Sequence, residues 1–213
     1  MPINRPRVLI ADAHTLIAEL CSKLLETDFN VVGTATDGHT MVQLALQLRP
    51  DLIVVDIAMP ILNGLDAGWQ VKKVLPETKL IFLTIHDGPE LVAEAFRRGA
   101  SGYLLKTCTA SELLTGVQQV LRGKSYVSKI LCKDEVSYIR CGKTKFAQPD
   151  ERLTDRQRQV LQLLAEGKVM KEVGFILNLT TRTVSFHKYR IMKALGVTSS
   201  AELIRYAIKN YMV

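Results

Sequence analysis

Four polar side chains, each at the end of a short apolar run, have the residue types for phosphoryl chemistry. Asp12 and Asp56 supply carboxylates, Thr84 a hydroxyl and Lys106 an amine. Two carboxylates can hold a hard divalent cation, while a hydroxyl and an ammonium can bind the oxygens of a phosphoryl group. Taken singly, each residue has a simpler explanation, such as Asp12 capping the helix that follows it. Taken together, they predict one site for a phosphoryl group and a metal ion.

The elements that would position these side chains are strands alternating with helices. Helical patterns separate the β-branched apolar runs, and one of them carries Leu16, Leu20 and Leu24 at a spacing of four residues. Such alternation predicts a doubly wound parallel sheet, whose ligands bind outside the carboxyl ends of the strands. The five predicted strands cover residues 7–11, 31–36, 52–56, 79–84 and 101–106.

The segments "LIVVDIAMPILNGL", "LTIHD" and "SGYLLKT" resemble the receiver domain of bacterial response regulators, over residues 1–123. The resemblance implies a flavodoxin-like α/β fold with a five-stranded parallel sheet. It also implies that Asp56 is the phosphoacceptor, with Thr84 and Lys106 contacting the phosphoryl oxygens. By the same resemblance, Tyr103 is the aromatic side chain that moves inward on activation. The implied Mg²⁺ ligands are Asp12, Asp56 and the backbone carbonyl of Ala58.

One residue departs from the receiver pattern. Related receivers carry two adjacent acids after the first strand, "DDH", whereas this chain has "DAH", with Ala13 at the second acidic position. We therefore expect Mg²⁺ to bind weakly or not at all. An alternative follows, in which the receiver works without phosphorylation as a dimerisation or protein-binding module. An aspartyl phosphatase would need a second acid at Ala58, so we predict that the protein is not an enzyme.

The charge distribution divides the chain in two. Residues 1–123 carry a net charge of −2 and residues 124–213 carry +9. A strongly basic segment indicates a polyanionic partner such as nucleic acid. We expect a linker over residues 124–150 and a second domain over residues 151–213, because helical patterns resume near Leu153.

The second half has the pattern of four short helices joined by tight turns. Thr154 and Gln157 have capping-box spacing, and Gly167 and Gly196 are placed to end helices. Such an arrangement predicts a helix-turn-helix domain. On the third helix, Val184, Ile191 and Leu195 share a face suited to the core. The opposite face is basic and aromatic, as expected for a helix in the major groove of DNA; its members are Arg182, Ser185, Phe186, Tyr189 and Lys193.

The segment from "LTDRQRQVL" to "IMKALGV" resembles the LuxR-type helix-turn-helix, over residues 152–210. With the receiver, this organisation is similar to the NarL/FixJ class of response regulators. The resemblance implies double-stranded DNA as ligand, a sensor histidine kinase upstream and an active homodimer. It places Leu203 and Tyr206 on the dimerisation helix. The expected DNA contacts are Thr181, Arg182, Thr183, Ser185, Phe186, His187, Lys188, Tyr189 and Lys193.

Composition and hydropathy predict a cytoplasmic protein with no membrane partner. No apolar run approaches the roughly 20 residues of a membrane span, and the N-terminus lacks the apolar core of a signal peptide. The four cysteines, at positions 21, 108, 132 and 141, show no C-x-x-C spacing. We therefore expect reduced thiols rather than a zinc site or disulfides.

Overall fold

The structure, a computed structural model, describes residues 5–131 and 152–213. The first range contains a wholly parallel sheet with strand order β2-β1-β3-β4-β5-β6. The order reverses between β1 and β3, so the site expected at the strand ends lies at a topological switch point. The strands are β1 Arg7–Ala11, β2 Asn30–Ala35, β3 Leu52–Val55, β4 Lys79–Thr84, β5 Gly102–Leu105 and β6 Tyr126–Val127.

Within residues 5–131, five helices cover both faces of the sheet. Helices α2, α3 and α4 pack on one face, and α1 and α5 pack on the other. The strands are apolar along nearly their whole length because both of their faces are buried. The helices are α1 Thr15–Leu25, α2 Gly38–Leu48, α3 Gly64–Val74, α4 Pro89–Arg97 and α5 Ala110–Leu121. The predicted α/β class is therefore confirmed.

A sixth strand extends the five-stranded sheet that the sequence predicts. Strand β6 pairs in parallel with β5, and a short 3₁₀ turn, Lys129–Leu131, follows it. The buried Ser128 donates a hydrogen bond to Glu112, which also accepts one from the Lys129 amide. The start of the expected linker thus packs on the receiver, because short-range pairing with β5 satisfies its backbone.

The leucine spacing in α1 does not mark its buried face. Ala18, Cys21 and Leu25 are buried, whereas Leu16 and Leu20 are 66% and 55% exposed. The spacing correctly indicates a helix. It could not show which of two apolar stripes faces the sheet, because only packing selects the buried one.

Residues 152–213 form a four-helix domain around a separate core. A capping box between Thr154 and Gln157 begins the first helix, and Gly196, with φ of +69°, ends the third. Glycine is suited to this left-handed end because it has no Cβ. The helices are α6 Asp155–Ala165, α7 Met170–Leu177, α8 Thr181–Leu195 and α9 Ser200–Lys209. The predicted helix-turn-helix organisation is confirmed.

The expected dimer contact on α9 needs correction. Leu203 is only 2% exposed and belongs to the core of its own domain. Tyr206 packs partly against that core, and its ring lies 6.0 Å from the Arg152 guanidinium. The exposed large apolar residues of α9 are Ile204 and Ile208, so they, and not Leu203, are available to a partner.

The two cysteines among the described residues are free thiols. Burial, together with the nearby Asp12 carboxylate, raises the pKa of Cys21 to about 11, so the thiol stays protonated at neutral pH. Burial also raises the pKa of Cys108. Cys132 and Cys141 lie outside the described residues. In the part of the chain that the structure describes, no helix combines the length and apolarity needed to cross a bilayer.

Candidate phosphoacceptor site and DNA-binding surface

Asp12 and Asp56 lie side by side at the carboxyl end of the sheet. The ends of β1 and β3 are in register, with Ala11 opposite Val55, so the next residue of each strand carries one carboxylate. The Asp56 amide donates to the Ala11 carbonyl at 2.8 Å, which fixes the two backbones together. Both aspartates are 3% exposed. Their burial requires compensation, because buried carboxylates are costly unless they are paired.

Lys106 provides that compensation from the end of β5. Its Nζ lies 2.7 Å from Asp12 Oδ2 and 2.8 Å from Asp56 Oδ2. Burial acts to lower the pKa of Lys106, but the hydrogen bonds and charges of the two aspartates outweigh it, so the pKa is raised. One ammonium thus bridges both carboxylates, and the three residues form a compact charged cluster.

Thr84 and Tyr103 occupy the neighbouring strands. Thr84 ends β4 and is fully buried, with its Oγ1 accepting a hydrogen bond of 3.4 Å from the His86 amide. The Tyr103 side chain is also fully buried, and its hydroxyl donates to the His86 carbonyl at 2.8 Å. The aromatic ring expected to move inward is therefore already inside in this conformation.

The side chains at this end of the sheet can bind a divalent cation, but they offer one carboxylate fewer than a receiver with two adjacent acids after its first strand. Ala13 has no donor atom, and Ala58 is exposed with its amide 3.4 Å from Asp56 Oδ1. Ligand atoms of Asp12, His14 and Asp56 all lie within 4.8 Å of one another. Hard oxygen ligands suit Mg²⁺, which commonly keeps several water molecules. The Lys106 ammonium, bonded to both carboxylates, would compete with such an ion.

The outer face of α8 carries the predicted basic and aromatic stripe. Val184 and Ile191 are fully buried on the inner face, while Phe186 and Tyr189 are 53% and 66% exposed. Arg182, Ser185 and Lys193 are exposed beside them. We call these five outward residues, Arg182, Ser185, Phe186, Tyr189 and Lys193, the groove-reading stripe. The structure brings them onto one accessible surface.

Two of the expected DNA contacts lie away from the groove-reading stripe. Lys188 points toward α9, where its Nζ donates to Ser200 Oγ at 2.8 Å. His187 is half-buried, and burial, followed by the charges of Arg156 and Arg190, lowers its pKa. Its imidazole therefore carries little charge near neutral pH. Thr181 is exposed at the start of α8, and Thr183 bonds the helix cap Thr180.

Sequence reasoning missed two neighbours of these sites. The Arg190 guanidinium lies 4.9 Å from the Phe186 ring centroid, a cation–π distance. The i, i+4 spacing of Phe186 and Arg190 on one helix could have indicated this pair. His14 lies beside the acidic cluster, with its Nδ1 3.2 Å from Asp12 Oδ1. The spacing of two residues between Asp12 and His14 could have indicated this contact.

Two family models match the chain, one over the α/β domain and one over the four-helix domain. Residues 8–118 match the "Response regulator receiver domain", and residues 151–207 match "Bacterial regulatory proteins, luxR family". The chain belongs to the NarL/FixJ class of bacterial response regulators, which join a receiver to a LuxR-type DNA-binding domain. Members of this class are transcriptional regulators.

Relatives cover nearly the whole chain. The transcriptional regulatory protein MctR of Rhizobium johnstonii is 32% identical over 97% of this chain and 95% of its own length. The oxygen regulatory protein NreC of Staphylococcus aureus is 33% identical over 97% and 99%. Among solved structures, the Mycobacterium tuberculosis NarL receiver domain matches 57% of this chain and 99% of its own, with 31% identity and a TM-score of 0.55. The RcsB–DNA complex matches 96% and 98%, with 25% identity and a TM-score of 0.58.

Proposed function

We propose that this transcriptional regulator is controlled through phosphorylation of Asp56. The observation that carries the proposal is the cluster of Asp56, Asp12 and Lys106 at one strand end, with a lysine amine 2.8 Å from the proposed phosphoacceptor oxygen. In this proposal the Asp56 carboxylate attacks the phosphorus of a phosphohistidine on a sensor kinase, and the histidine leaves. Lys106 then pairs with a phosphoryl oxygen instead of with Asp56.

The remaining residues of the site have supporting roles in the proposal. The Thr84 hydroxyl would bond a phosphoryl oxygen. Tyr103 would be the aromatic side chain whose position responds to phosphorylation. Asp12, Asp56 and the Ala58 carbonyl would hold Mg²⁺, which would neutralise charge on the incoming phosphoryl group. Because Ala13 removes one carboxylate, we propose that this binding is weak.

The proposed output is recognition of double-stranded DNA by a homodimer. The groove-reading stripe would enter the major groove, with Ser185, Phe186 and Tyr189 toward bases and Arg182 and Lys193 toward phosphates. Thr181, Thr183, His187 and Lys188 would lie at the edge of the contact. The proposed domains are a receiver over residues 1–123, a linker over 124–150 and a DNA-binding domain over 151–213.

Mass spectrometry after incubation with acetyl phosphate and Mg²⁺ tests the phosphoacceptor. We expect the full-length protein to gain one acid-labile phosphoryl group, and Asp56→Asn to gain none. The change to asparagine is nearly isosteric, so the fold should survive, as circular dichroism would show. Asp51→Asn, which alters an exposed aspartate at the start of β3, is the matched control and should label as the wild type does. Labelling that persists in Asp56→Asn would show that another residue is the acceptor.

A second candidate function is regulation without phosphorylation. Two observations favour it: Tyr103 is already buried, and Lys106 is already bonded to both carboxylates in a chain that lacks the second acid. In this alternative the receiver serves as a dimerisation or protein-binding module. The same mass measurement separates the two functions, because the alternative predicts no labelling of the wild type while DNA binding remains intact.

A further inference from the structure

One glutamine of α6 in the DNA-binding domain bonds the receiver at two points. Gln162 is 1% exposed, and its Nε2 donates to the Met59 carbonyl at 2.8 Å. Its Oε1 accepts from the Asn63 amide at 2.7 Å. Met59 and Asn63 lie near opposite ends of the loop of residues 57–63, which begins directly after Asp56. A single side chain of the DNA-binding domain therefore bonds the third and the last residue of the loop that follows the proposed phosphoacceptor.

Ile61, in the middle of this loop, contributes an apolar contact. Its side chain packs against the core of the DNA-binding domain, and its amide donates to Glu166 Oε1 at 3.3 Å. Its φ is +69°, in the left-handed region that β-branched residues rarely adopt. Such a conformation persists where surrounding contacts determine it. The docked domain supplies some of those contacts.

A buried charge network closes the other side of the interface. Asp66, near the start of α3, accepts from Arg98 Nη1 at 2.5 Å and from Arg158 Nη1 of α6 at 3.3 Å. The three residues are 2%, 6% and 4% exposed. Glu94 also accepts from Arg98, at 2.6 Å. Burying charges requires well-defined partners, so the network favours one relative placement of the two domains.

The interface leaves the groove-reading stripe uncovered. Phe186 and Tyr189 are more than half exposed in the docked molecule, and Arg182 and Lys193 are exposed too. We propose that Gln162, Ile61 and the Asp66–Arg158 pair form an interdomain clamp, which ties the DNA-binding domain to the loop after Asp56 without masking its DNA surface. The clamp controls how two DNA-binding domains can be arranged, and not whether one of them can touch DNA.

The clamp and the chemistry at Asp56 are coupled through the shared loop. The Ala58 amide lies 3.4 Å from Asp56 Oδ1, and Met59, one residue further on, is held by Gln162. A ligand at Asp56 that changes the loop must change docking, and docking must change affinity at Asp56 by the same factor. This coupling rests on the proposed function, whereas the clamp itself does not.

Amide hydrogen exchange in full-length protein, followed residue by residue by NMR, tests the clamp. The Asn63 and Ile61 amides donate to α6, whereas the Gly64 amide donates to the Ile57 carbonyl within the receiver. We expect Gln162→Ala to speed exchange at Asn63 and Ile61 by about tenfold or more. Exchange at Gly64 should change much less, because its partner stays in place.

Two further variants secure the interpretation. Gln43→Ala removes an exposed glutamine of α2 that bonds His39, and it should leave all three exchange rates unchanged. Lys73 forms an exposed ion pair with Asp155 across the interface, at 2.9 Å. Lys73→Glu replaces this attraction with repulsion and alters neither core. It therefore tests the clamp even if Gln162→Ala fails to fold. It should speed exchange at Asn63 about twofold or more. Unchanged exchange at Asn63 in both Gln162→Ala and Lys73→Glu would overturn the clamp.

Binding to a 12-base-pair duplex of arbitrary sequence, at low salt, tests the open DNA surface. Such a duplex holds one DNA-binding domain, so dimer spacing cannot contribute. We expect wild type and Gln162→Ala to bind within about twofold of each other. Binding that tightens tenfold or more in the variant would overturn the claim that the surface is uncovered. If acetyl phosphate fails to label Asp56 in the wild type, the proposed function is contradicted. The hydrogen-exchange and duplex-binding results still test the clamp in that case.

Discussion

The acidic rim of the receiver, formed by Asp12, Asp56 and Lys106, and the groove-reading stripe of α8 both carry charged side chains, in opposite environments. At the rim, Asp12 and Asp56 are buried and share the Lys106 ammonium. On α8, Arg182 and Lys193 are exposed, and no acidic partner bonds either of them among the described residues.

The difference shows where each charge contributes free energy. A buried charge that loses its partner destabilises the fold, because water cannot replace that partner. An exposed charge costs little to remove, and its energy is realised only when a polyanion releases counterions on binding. We therefore expect changes at the rim to alter stability and changes in the stripe to alter DNA affinity. The following changes test that division.

The largest effect should come from removing the shared cation. Lys106→Met leaves two buried carboxylates without their ammonium, so we expect the free energy of unfolding to fall by about 3 kcal/mol. Urea denaturation followed by the fluorescence of Trp69, the single tryptophan, reports on the receiver. Lys124→Met, at an exposed lysine, is the matched control and should change stability by less than about 0.5 kcal/mol. Equal losses in the two variants would contradict the division.

Restoring the missing acid should have the next largest effect. Ala13→Asp supplies a third carboxylate, and a charge-assisted contact of roughly 1.5–3 kcal/mol corresponds to about 10- to 100-fold tighter Mg²⁺ binding. Isothermal titration calorimetry measures the affinity, and phosphorylation of Asp56 by acetyl phosphate should speed up as well. Ala13→Asn, of the same shape without the charge, should tighten binding much less. Equal affinity in wild type and Ala13→Asp would show that a carboxylate at position 13 does not contribute to Mg²⁺ binding.

The smallest effect should come from the stripe. Lys193→Ala should weaken DNA binding a few-fold at every sequence and reduce the slope of log affinity against log salt by about 1. Tyr189→Ala should instead change the preference among promoter fragments, because we propose that its exposed ring faces bases. Fluorescence anisotropy over a salt series measures both. Lys23→Ala, at an exposed lysine of the receiver, is the control. A Lys193→Ala loss confined to one sequence would show that this lysine reads bases.

Lys188 provides a comparison for the effect of Lys193 on DNA binding. The sequence alone predicts that Lys188 contacts DNA, but its amine is bonded to Ser200. The effect of Lys188→Ala on the salt slope should therefore be smaller than that of Lys193→Ala. The reason is local: α9 packs next to α8 and offers a hydroxyl within reach of that amine.

The sequence by itself determined the architecture and most of the candidate site. Five short apolar runs, alternating with helical patterns, predicted the parallel sheet, and the polar residues ending those runs predicted the rim. Caps such as Thr154–Gln157 and Gly196 marked helix ends correctly, because capping depends on residues only a few positions apart. The basic second half and the spacing on α8 predicted the DNA-binding surface for the same local reason.

Tertiary structure alone decided which groups become partners across long stretches of chain. The sequence could not show that Lys106 bridges both aspartates, that Leu203 is in the core, or that Leu16 is exposed. Nor could it pair Gln162 with Asn63, 99 residues away. Periodicity describes one element at a time, whereas burial and pairing depend on which faces of distant elements meet. That choice is made by packing the whole chain, so the interdomain clamp is visible only in three dimensions.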